Sequence, residues 1–176
     1  MLGNLCVLAL VAALAVEPMI LEIDRGAESL TIEFSLNRKL PESTEKTLSS
    51  GATTIVDYPL RVYGRRRLLP DRRVWKGVAR VTVNFDGVTG RYLCQLIVNG
   101  DTTASREVDT VDEARSWLTA PPAVEVTLPP ARSDDILRVR VRAVFASGTT
   151  WLVFPSTDGT EWLEVRLDPA ADDTGE

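Results

Sequence analysis

Histidine is absent from all 176 residues of the chain. Its imidazole is the base in serine and cysteine nucleophile systems and the commonest ligand of zinc, copper and haem iron. Its absence therefore excludes Ser-His-Asp and Cys-His catalysis. The glycine-rich motifs that hold nucleotide phosphates are missing as well. We expect no enzymatic activity, no cofactor, no catalytic residue and no metal site.

Cysteine is almost as scarce, with two residues in the chain. Cys6 lies in an apolar N-terminal stretch and Cys94 in a predicted strand, so we expect no disulfide within the mature protein. A cysteine-rich zinc site is excluded by the same count. Cys94 is predicted to be a small hydrophobic residue of the core.

Charged side chains are missing from the first sixteen residues, which are mostly apolar and become rich in alanine towards their end. Ala13-Leu14-Ala15 has the small-x-small pattern of a signal peptidase site, so we predict a signal peptide over residues 1–15 with cleavage after Ala15. The alternatives are a buried N-terminal helix or an uncleaved anchor, although the stretch is too short for an ordinary transmembrane helix. The prediction implies a periplasmic or secreted protein whose mature chain has no transmembrane span.

Alternation of apolar and polar residues with period two dominates the rest of the sequence and indicates strands that are buried on one face. Asp86-Gly87 and Asn99-Gly100 predict hairpin turns. Pro59 falls on the outward register of its strand and suggests an edge or bulged position. The predicted strands are 29–37, 54–64, 73–85, 91–98, 104–108, 136–145, 150–154 and 162–168.

Two short helices interrupt this pattern. Thr110 and Glu113 have the spacing of a capping box, and Pro121-Pro122 ends the helix that follows. A second helix is predicted between Pro41 and Gly51. The pattern as a whole predicts a mainly β fold, an antiparallel β-sandwich of about eight strands with two short helices. Alternation alone does not distinguish two stacked sheets from one closed sheet.

The domain organisation follows from these elements. Residues 16–168 are predicted to form a single β-rich domain, and residues 169–176 an acidic, disordered tail. Within strand 73–85 the alternation places Trp75, Val83 and Phe85 on the buried face. In strand 136–145 it places three arginines on the outward face, where we expect them to be solvated: Arg138, Arg140 and Arg142.

One segment of the sequence contains an unusual concentration of basic residues. Residues 61–80 contain eight basic side chains and one acidic side chain, a net charge of +7 in a chain whose net charge is −5. Arginine presents a planar set of donors suited to carboxylate and phosphate groups, so this segment is a candidate interaction surface. The alternative is a solvated hairpin end whose charges protect strand edges. The candidate residues are Arg61, Arg65, Arg66, Arg67, Arg72, Arg73 and Lys76.

Several of these positions also resemble a known family. The features involved are Gly51, Tyr58, Tyr63, the Arg65–Arg67 run, Asp71, Val74, Asp86, Tyr92, Thr110-x-x-Glu113-Ala114, Phe34-x-Leu36 and the helix from Pro41 to Gly51. This pattern resembles the bacterial domain-of-unknown-function family DUF4390 over roughly residues 20–120, and the resemblance fades beyond them. It implies an exported envelope protein without an established activity, in some genomes encoded near a membrane histidine kinase.

Together these observations predict a non-enzymatic binding or adaptor domain of the bacterial envelope, with a link to membrane histidine-kinase signalling implied by the resemblance. The expected partner is an envelope protein or anionic lipid head groups, and not nucleic acid. Two alternatives remain open: peripheral binding to an anionic membrane surface through residues 61–80, and a purely structural envelope role. The sequence does not determine the oligomeric state.

Overall fold

The computed structural model describes residues 18–26, 28–65, 70–128, 136–145 and 158–168. Within these ranges the chain forms eleven strands and two helices. In chain order they are β1 (Met19–Arg25), β2 (Ser29–Leu36), α1 (Glu42–Ser49), β3 (Thr54–Gly64), β4 (Arg72–Asp86), β5 (Arg91–Val98), β6 (Asp101–Val108), α2 (Val111–Thr119), β7 (Val124–Thr127), β8 (Leu137–Val141), β9 (Val144–Phe145), β10 (Asp158–Gly159) and β11 (Leu163–Leu167).

The strands form two antiparallel sheets, which confirms the predicted mainly β sandwich class. The small sheet has the order β1-β2-β7. The large sheet has the order β10-β9-β3-β4-β5-β6, and β3 also pairs with β8, which in turn pairs with β11. Strands β1, β7 and β10 were not predicted. The predicted strand 150–154 lies outside the described residues, as do the signal peptide and the tail.

The core lies between the two sheets and the helices, and Tyr58 connects all three. Its ring packs against Phe34 of the small sheet, with 4.6 Å between the ring centroids. Its hydroxyl donates a 2.6 Å hydrogen bond to the backbone oxygen of Leu118 near the end of α2. Tyr58 is fully buried. The predicted inward positions of β2 and β3 are confirmed, because the alternate residues of both strands are buried.

The predicted hairpins and helices are confirmed. Asn99 and Gly100 adopt φ angles of 53° and 103°, which the tight turn between β5 and β6 requires. The capping box is complete, since the Thr110 hydroxyl accepts from the Glu113 N–H while the Glu113 carboxylate accepts from the Thr110 N–H. The Glu113 carboxylate accepts from the Thr110 hydroxyl as well as from the Thr110 N–H, and these two hydrogen bonds lower its pKa. In the part of the chain that the structure describes, no helix has the length and apolar character needed to cross a bilayer.

Two predictions were wrong, one about the position of a side chain and one about the extent of a strand. Phe85 is 36% exposed, because β4 extends past the core at this end and the ring packs on Tyr92. The segment 136–145 is two strands and not one, since pairing with β3 is interrupted at residues 142 and 143. The five apolar residues predicted to point inward from this segment are nevertheless all buried: Leu137, Val139, Val141, Ala143 and Phe145.

The interruption explains Pro59, which lies in a central strand and not at an edge. Both backbone groups of Val78, its partner in β4, bond to Asn99, so Val78 and Pro59 form a non-hydrogen-bonded pair. The Pro59 nitrogen therefore faces the other neighbour, where β8 has ended and β9 has not begun. A residue without an N–H costs no ladder hydrogen bond at this position.

Candidate functional site

The structure divides the predicted basic segment. Arg61 and Lys76 lie directly opposite each other in β3 and β4, on the face of the large sheet that points away from the core. Arg73 lies opposite Tyr63 on the same face. Arg72 pairs with Gly64 and therefore lies on the other side of the sheet from Arg73. Arg65 follows the end of β3, and its N–H donates to the oxygen of Ile136 at 2.8 Å. Arg66 and Arg67 lie outside the described residues.

Strand β8 adds cations that a linear reading did not connect with this segment. Arg140 of β8 lies directly opposite Arg61, and Glu164 of β11 lies directly opposite Arg140. One row across four strands therefore reads Glu164, Arg140, Arg61, Lys76. The next row reads Arg166, Arg138, Tyr63, Arg73.

We call this surface the basic sheet face. It is the outward side of β11, β8, β3 and the first half of β4, together with the neighbouring residues Arg142 and Trp162. Its cations are Arg61, Arg73, Lys76, Arg138, Arg140, Arg142 and Arg166. The last cation of the basic segment, Arg80, lies two positions further along the same face from Val78, where it makes a two-bond ion pair with Asp57 at 2.7 and 3.0 Å.

The side chain of Trp162 organises three of these arginines. The guanidinium carbons of Arg61, Arg142 and Arg140 lie 4.5, 4.9 and 5.4 Å from the centroid of its ring. At such distances the negative face of an indole attracts a cation. The prediction that the β8 arginines are solvated was therefore wrong, because the side chains of Arg138 and Arg140 are only 37% and 34% exposed.

Carboxylates neutralise part of the face. Asp71 bonds to Arg138 at 2.6 Å, and Glu164 bridges Arg138 at 3.2 Å and Arg140 at 3.1 Å. Asp168 lies 3.7 Å from Arg166. For the remaining four cations, no carboxylate among the described residues comes within ion-pair distance. These four are Arg61, Arg73, Lys76 and Arg142.

The arrangement of like charges is unfavourable for folding. Cross-strand neighbours lie about 5 Å apart at Cβ, and like charges directly opposite each other destabilise a sheet. Arg140, Arg61 and Lys76 nevertheless occupy three consecutive positions of one row. Stacking on Trp162 offsets part of this repulsion for two of them. An external anion would offset it further.

Reversing one charge in this row should therefore stabilise the protein. Lys76→Glu places a carboxylate opposite Arg61, and we expect the free energy of unfolding to rise by about 0.2–1 kcal/mol. Urea denaturation at low and high salt measures the change, which should shrink as salt screens the pair. Lys39→Glu, at an exposed position between β2 and α1, is the control for the change in net charge. A loss of stability in Lys76→Glu alone would contradict the repulsion argument.

The outward face of the small sheet carries the opposite charge. Glu22 lies directly opposite Glu33 in the β1–β2 pair, and Asp24 and Glu125 both lie opposite Thr31. All four carboxylates are exposed. The two outer faces of the sandwich therefore differ in sign, which the overall net charge of −5 conceals.

Cys94 is buried in β5, as predicted for a core residue. Burial raises the pKa of its thiol to about 11, so the thiolate that would act as a nucleophile is disfavoured. Arg106 lies opposite Cys94 in β6 and lowers the pKa, but burial outweighs this effect. Among the described residues, no cluster of acidic and cysteine side chains has the geometry of a metal site.

The buried thiol gives a simple test of the core. In a chain that begins at Val16, a disulfide reagent should leave Cys94 unmodified in the folded state at about pH 8, near the ordinary thiol pKa, and modify it fully in urea. Absorbance of the released thiolate measures both reactions. Rapid modification without urea would show that β5 is not the closed strand described above.

These features define a mainly β sandwich domain with a basic outer face on its larger sheet. The model of the family described as a domain of unknown function (DUF4390) matches residues 15–149, so the chain belongs to that family. The match continues past residue 120, where the resemblance was expected to fade, and includes β8 and β9. No curated protein and no solved structure matches the chain.

Proposed function

We propose that the protein is a non-enzymatic binding domain of the bacterial envelope that contacts an acidic protein surface through its basic sheet face. The observation that carries this proposal is the row Arg140, Arg61, Lys76, in which only Arg140 pairs with the carboxylate of the row, Glu164. Such a row costs stability in the free protein and gains it when a negatively charged partner binds.

The form of the surface favours a protein partner over a membrane. Four strands present the cations from a sheet, and Trp162 restrains the guanidinium groups of Arg61 and Arg142 by stacking. Groups that are already ordered lose less side-chain entropy on binding, and arginine with tryptophan is typical of the residues that dominate protein interfaces. A peripheral membrane contact would depend on general positive charge and would need no such ordering.

The test compares two variants with the same change in net charge. In the face variant, Arg61, Arg73, Lys76 and Arg142 are replaced by Gln. In the control variant, Lys39, Lys46, Arg72 and Arg106 are replaced by Gln, which removes four cations that lie away from the face. Wild type and both variants, each beginning at Val16, serve as baits for detergent-solubilised envelope proteins. Each recovered partner is then purified and titrated with all three.

We expect the face variant to bind a recovered partner at least tenfold more weakly than the wild type, and the control variant to bind within about twofold of it, since each central charged contact is worth over 1 kcal/mol. Equal loss in both variants would show a dependence on net charge alone. Vesicles that contain anionic lipid provide a parallel measurement. Cosedimentation of the wild type with vesicles, in the absence of any protein partner, would support the membrane alternative and contradict the proposal.

Export is a separate part of the proposal and rests on the apolar, uncharged N-terminus. We expect the protein recovered from the envelope to begin at Val16, because Ala13-Leu14-Ala15 matches the signal peptidase pattern. Intact mass and N-terminal sequencing measure the start of the chain. Recovery of a chain that begins at Met1 from the cytoplasm would contradict export. The link to a membrane histidine kinase stays a prediction.

A further inference from the structure

We infer that Arg61, Arg142 and the ring of Trp162 form a binding site for a single carboxylate group of an acidic protein segment. The inference rests on the proposed function and makes it more specific, because it assigns the point on the basic sheet face where one Asp or Glu side chain of the partner is held. The remaining cations of the face would then contribute mainly long-range attraction.

The guanidinium groups of Arg61 and Arg142 lie beside the same aromatic ring. Arg61 extends from β3 and Arg142 from the gap between β8 and β9, and both lie within 5 Å of the centroid of one ring. A guanidinium stacked on an indole keeps its N–H groups in its own plane, free to donate at its edge. Two such groups beside one ring provide more donors than a single carboxylate can accept from.

The Nε–H donors of these two arginines have no hydrogen-bond acceptor in the described part of the chain. The Nε atoms of Arg61 and Arg142 are buried from solvent, and neither has a hydrogen-bond acceptor among the described residues. Most buried polar groups in proteins have a partner, because an unpaired one is costly. The Nε atoms of Arg138 and Arg140 are likewise buried without a hydrogen bond. Their guanidinium groups, however, form ion pairs with Asp71 and Glu164, whereas those of Arg61 and Arg142 have no carboxylate within ion-pair distance among the described residues. Arg61 and Arg142 would therefore gain most from an incoming anion.

The charged groups around the site determine how strongly it attracts an anion. This part of the face contains four guanidinium groups, which belong to Arg61, Arg138, Arg140 and Arg142, and two carboxylates, which belong to Asp71 and Glu164. The local excess is therefore about two positive charges. Glu164 lies opposite Arg140, in the same row as Arg61, and it repels any second anion. A phosphate group brings nearly two negative charges at neutral pH, so the guanidinium groups attract it more strongly and Glu164 repels it more strongly than a carboxylate. Charge alone therefore favours neither anion, and the assignment to a carboxylate rests on the proposed protein partner, whose Asp and Glu side chains supply this group.

The experiment is a nuclear magnetic resonance titration of the 15N-labelled chain beginning at Val16. The first probe is a short glutamate peptide blocked at both ends, and the second is inorganic phosphate, both at constant ionic strength. The signals observed are the arginine Nε–H groups and the tryptophan indole N–H groups, assigned with Arg61→Gln, Arg142→Gln and Trp162→Phe. We expect the peptide to shift the signals of Arg61, Arg142 and Trp162 saturably, and phosphate to shift them at least several-fold more weakly.

Two variants separate this site from general attraction. Arg61→Lys keeps the charge but lacks the planar set of donors, and we expect it to weaken peptide binding about tenfold. Arg72→Gln removes a cation of the same sequence segment that lies off the face, and we expect it to change binding less than twofold. Equal binding by wild type and Arg61→Lys would overturn the inference, because charge alone would then account for the contact.

Other outcomes are equally decisive. Stronger binding of phosphate than of peptide would overturn the assignment to carboxylate. An absence of saturable shifts with either probe would show that the stack on Trp162 has only a structural role. If the shifts are absent but the face variant still loses its protein partner, the carboxylate site is wrong and the proposed function stands. If the shifts occur but the face variant keeps the partner, the proposed function is wrong and the carboxylate site stands.

Discussion

Replacement of Tyr58 by Ala is expected to lower the free energy of unfolding by about 3–5 kcal/mol, as is typical when a large buried aromatic side chain is removed. Tyr58 is fully buried and packs on Phe34 across the two sheets. The truncation would leave a cavity between β3, β2 and α2. Domains of this size are stable by about 5–15 kcal/mol, so the loss would be a large part of the total. Urea denaturation followed by tryptophan fluorescence measures it.

Tyr58→Phe is the matched variant, since it keeps the ring and removes only the hydroxyl. That hydroxyl satisfies the Leu118 oxygen, one of the carbonyl groups at the end of α2 that lack a partner within the helix. We expect a smaller loss of about 1–2 kcal/mol, because a buried carbonyl would be left unpaired. A variant as unstable as Tyr58→Ala would show that the hydroxyl, and not the packing of the ring, dominates.

The wild type and Tyr58→Phe are expected to differ in how their stability depends on alkaline pH. Burial raises the pKa of Tyr58 above its ordinary value. A group whose pKa is raised in the folded state contributes stability that is complete below its unfolded pKa, about 10 for tyrosine, and is lost as pH rises above it. The stability of the wild type should therefore fall more steeply than that of Tyr58→Phe above about pH 10. Parallel curves for the two proteins would contradict the burial of this hydroxyl.

Gly77→Ala is expected to lower the free energy of unfolding by about 1–3 kcal/mol, the usual cost of overpacking. A Cβ atom at this position would lie 2.6 Å from Cζ2 of Trp75 and 2.7 Å from Oδ1 of Asn99. The ring of Trp75 rests on the glycine, and Asn99 Oδ1 already accepts from the Val78 N–H at 3.1 Å. The substitution would displace one or both of these groups. Equilibrium denaturation measures the change.

Two controls identify the cause. Gly87→Ala adds the same methyl group where no atom lies within 4 Å, and we expect little change or a small gain in stability. Trp75→Leu removes the ring that Gly77 accommodates, so Gly77→Ala should cost less in that background than in the wild type. An equal cost in both backgrounds would show that Asn99, and not Trp75, is the group that cannot move.

The second prediction bears on the basic sheet face, because Gly77 follows Lys76 in β4. Pairing of β4 with β5 begins at Ala79, so the segment that carries Arg73 and Lys76 has β3 as its neighbour but not β5. An aromatic side chain that covers a neighbouring glycine can compensate for its missing side chain at a sheet edge. The contact of Trp75 with Gly77 therefore stabilises the part of β4 that presents these two cations.

The predicted stabilisation by Lys76→Glu fits the same view of the surface. A row of like charges that is unfavourable in the free protein is expected where a partner of opposite charge binds, since functional surfaces are often less stable than they could be. If Lys76→Glu raises stability and weakens binding of the partner, the charges of the basic sheet face that destabilise the free protein are the ones that bind the partner.

Much of the fold was predictable because period-two alternation is a local property. Strands β2 and β3, the turns at Asp86 and Asn99, and the capping box at Thr110 each depend on residues within a few positions of one another. Strand β1 was missed because Ile20 and Leu21 are consecutive apolar residues after the expected signal peptide, where they resemble a continuation of it. Strand β7 has only four residues, which is too short for a clear period.

The candidate site was predictable only in part. The concentration of arginine between residues 61 and 80 is visible in the sequence, and three of the seven predicted residues lie together on the basic sheet face: Arg61, Arg73 and Lys76. The alternation of Arg138, Arg140 and Arg142 was also visible. It predicts solvated side chains, because sequence alternation tells which residues share a face but not which strands are neighbours.

Short-range patterns are therefore enough to predict the class of fold, the buried faces of the long strands and the unusual concentration of basic residues. The pairing of β8 with β3 and of β11 with β8 is visible only in the folded chain. The first pairing joins residues about 70–80 positions apart and the second residues about 20–30 apart, and together they bring Trp162 onto Arg61 and Arg142. Contacts between distant segments arise from packing of the whole chain, and no local pattern specifies them.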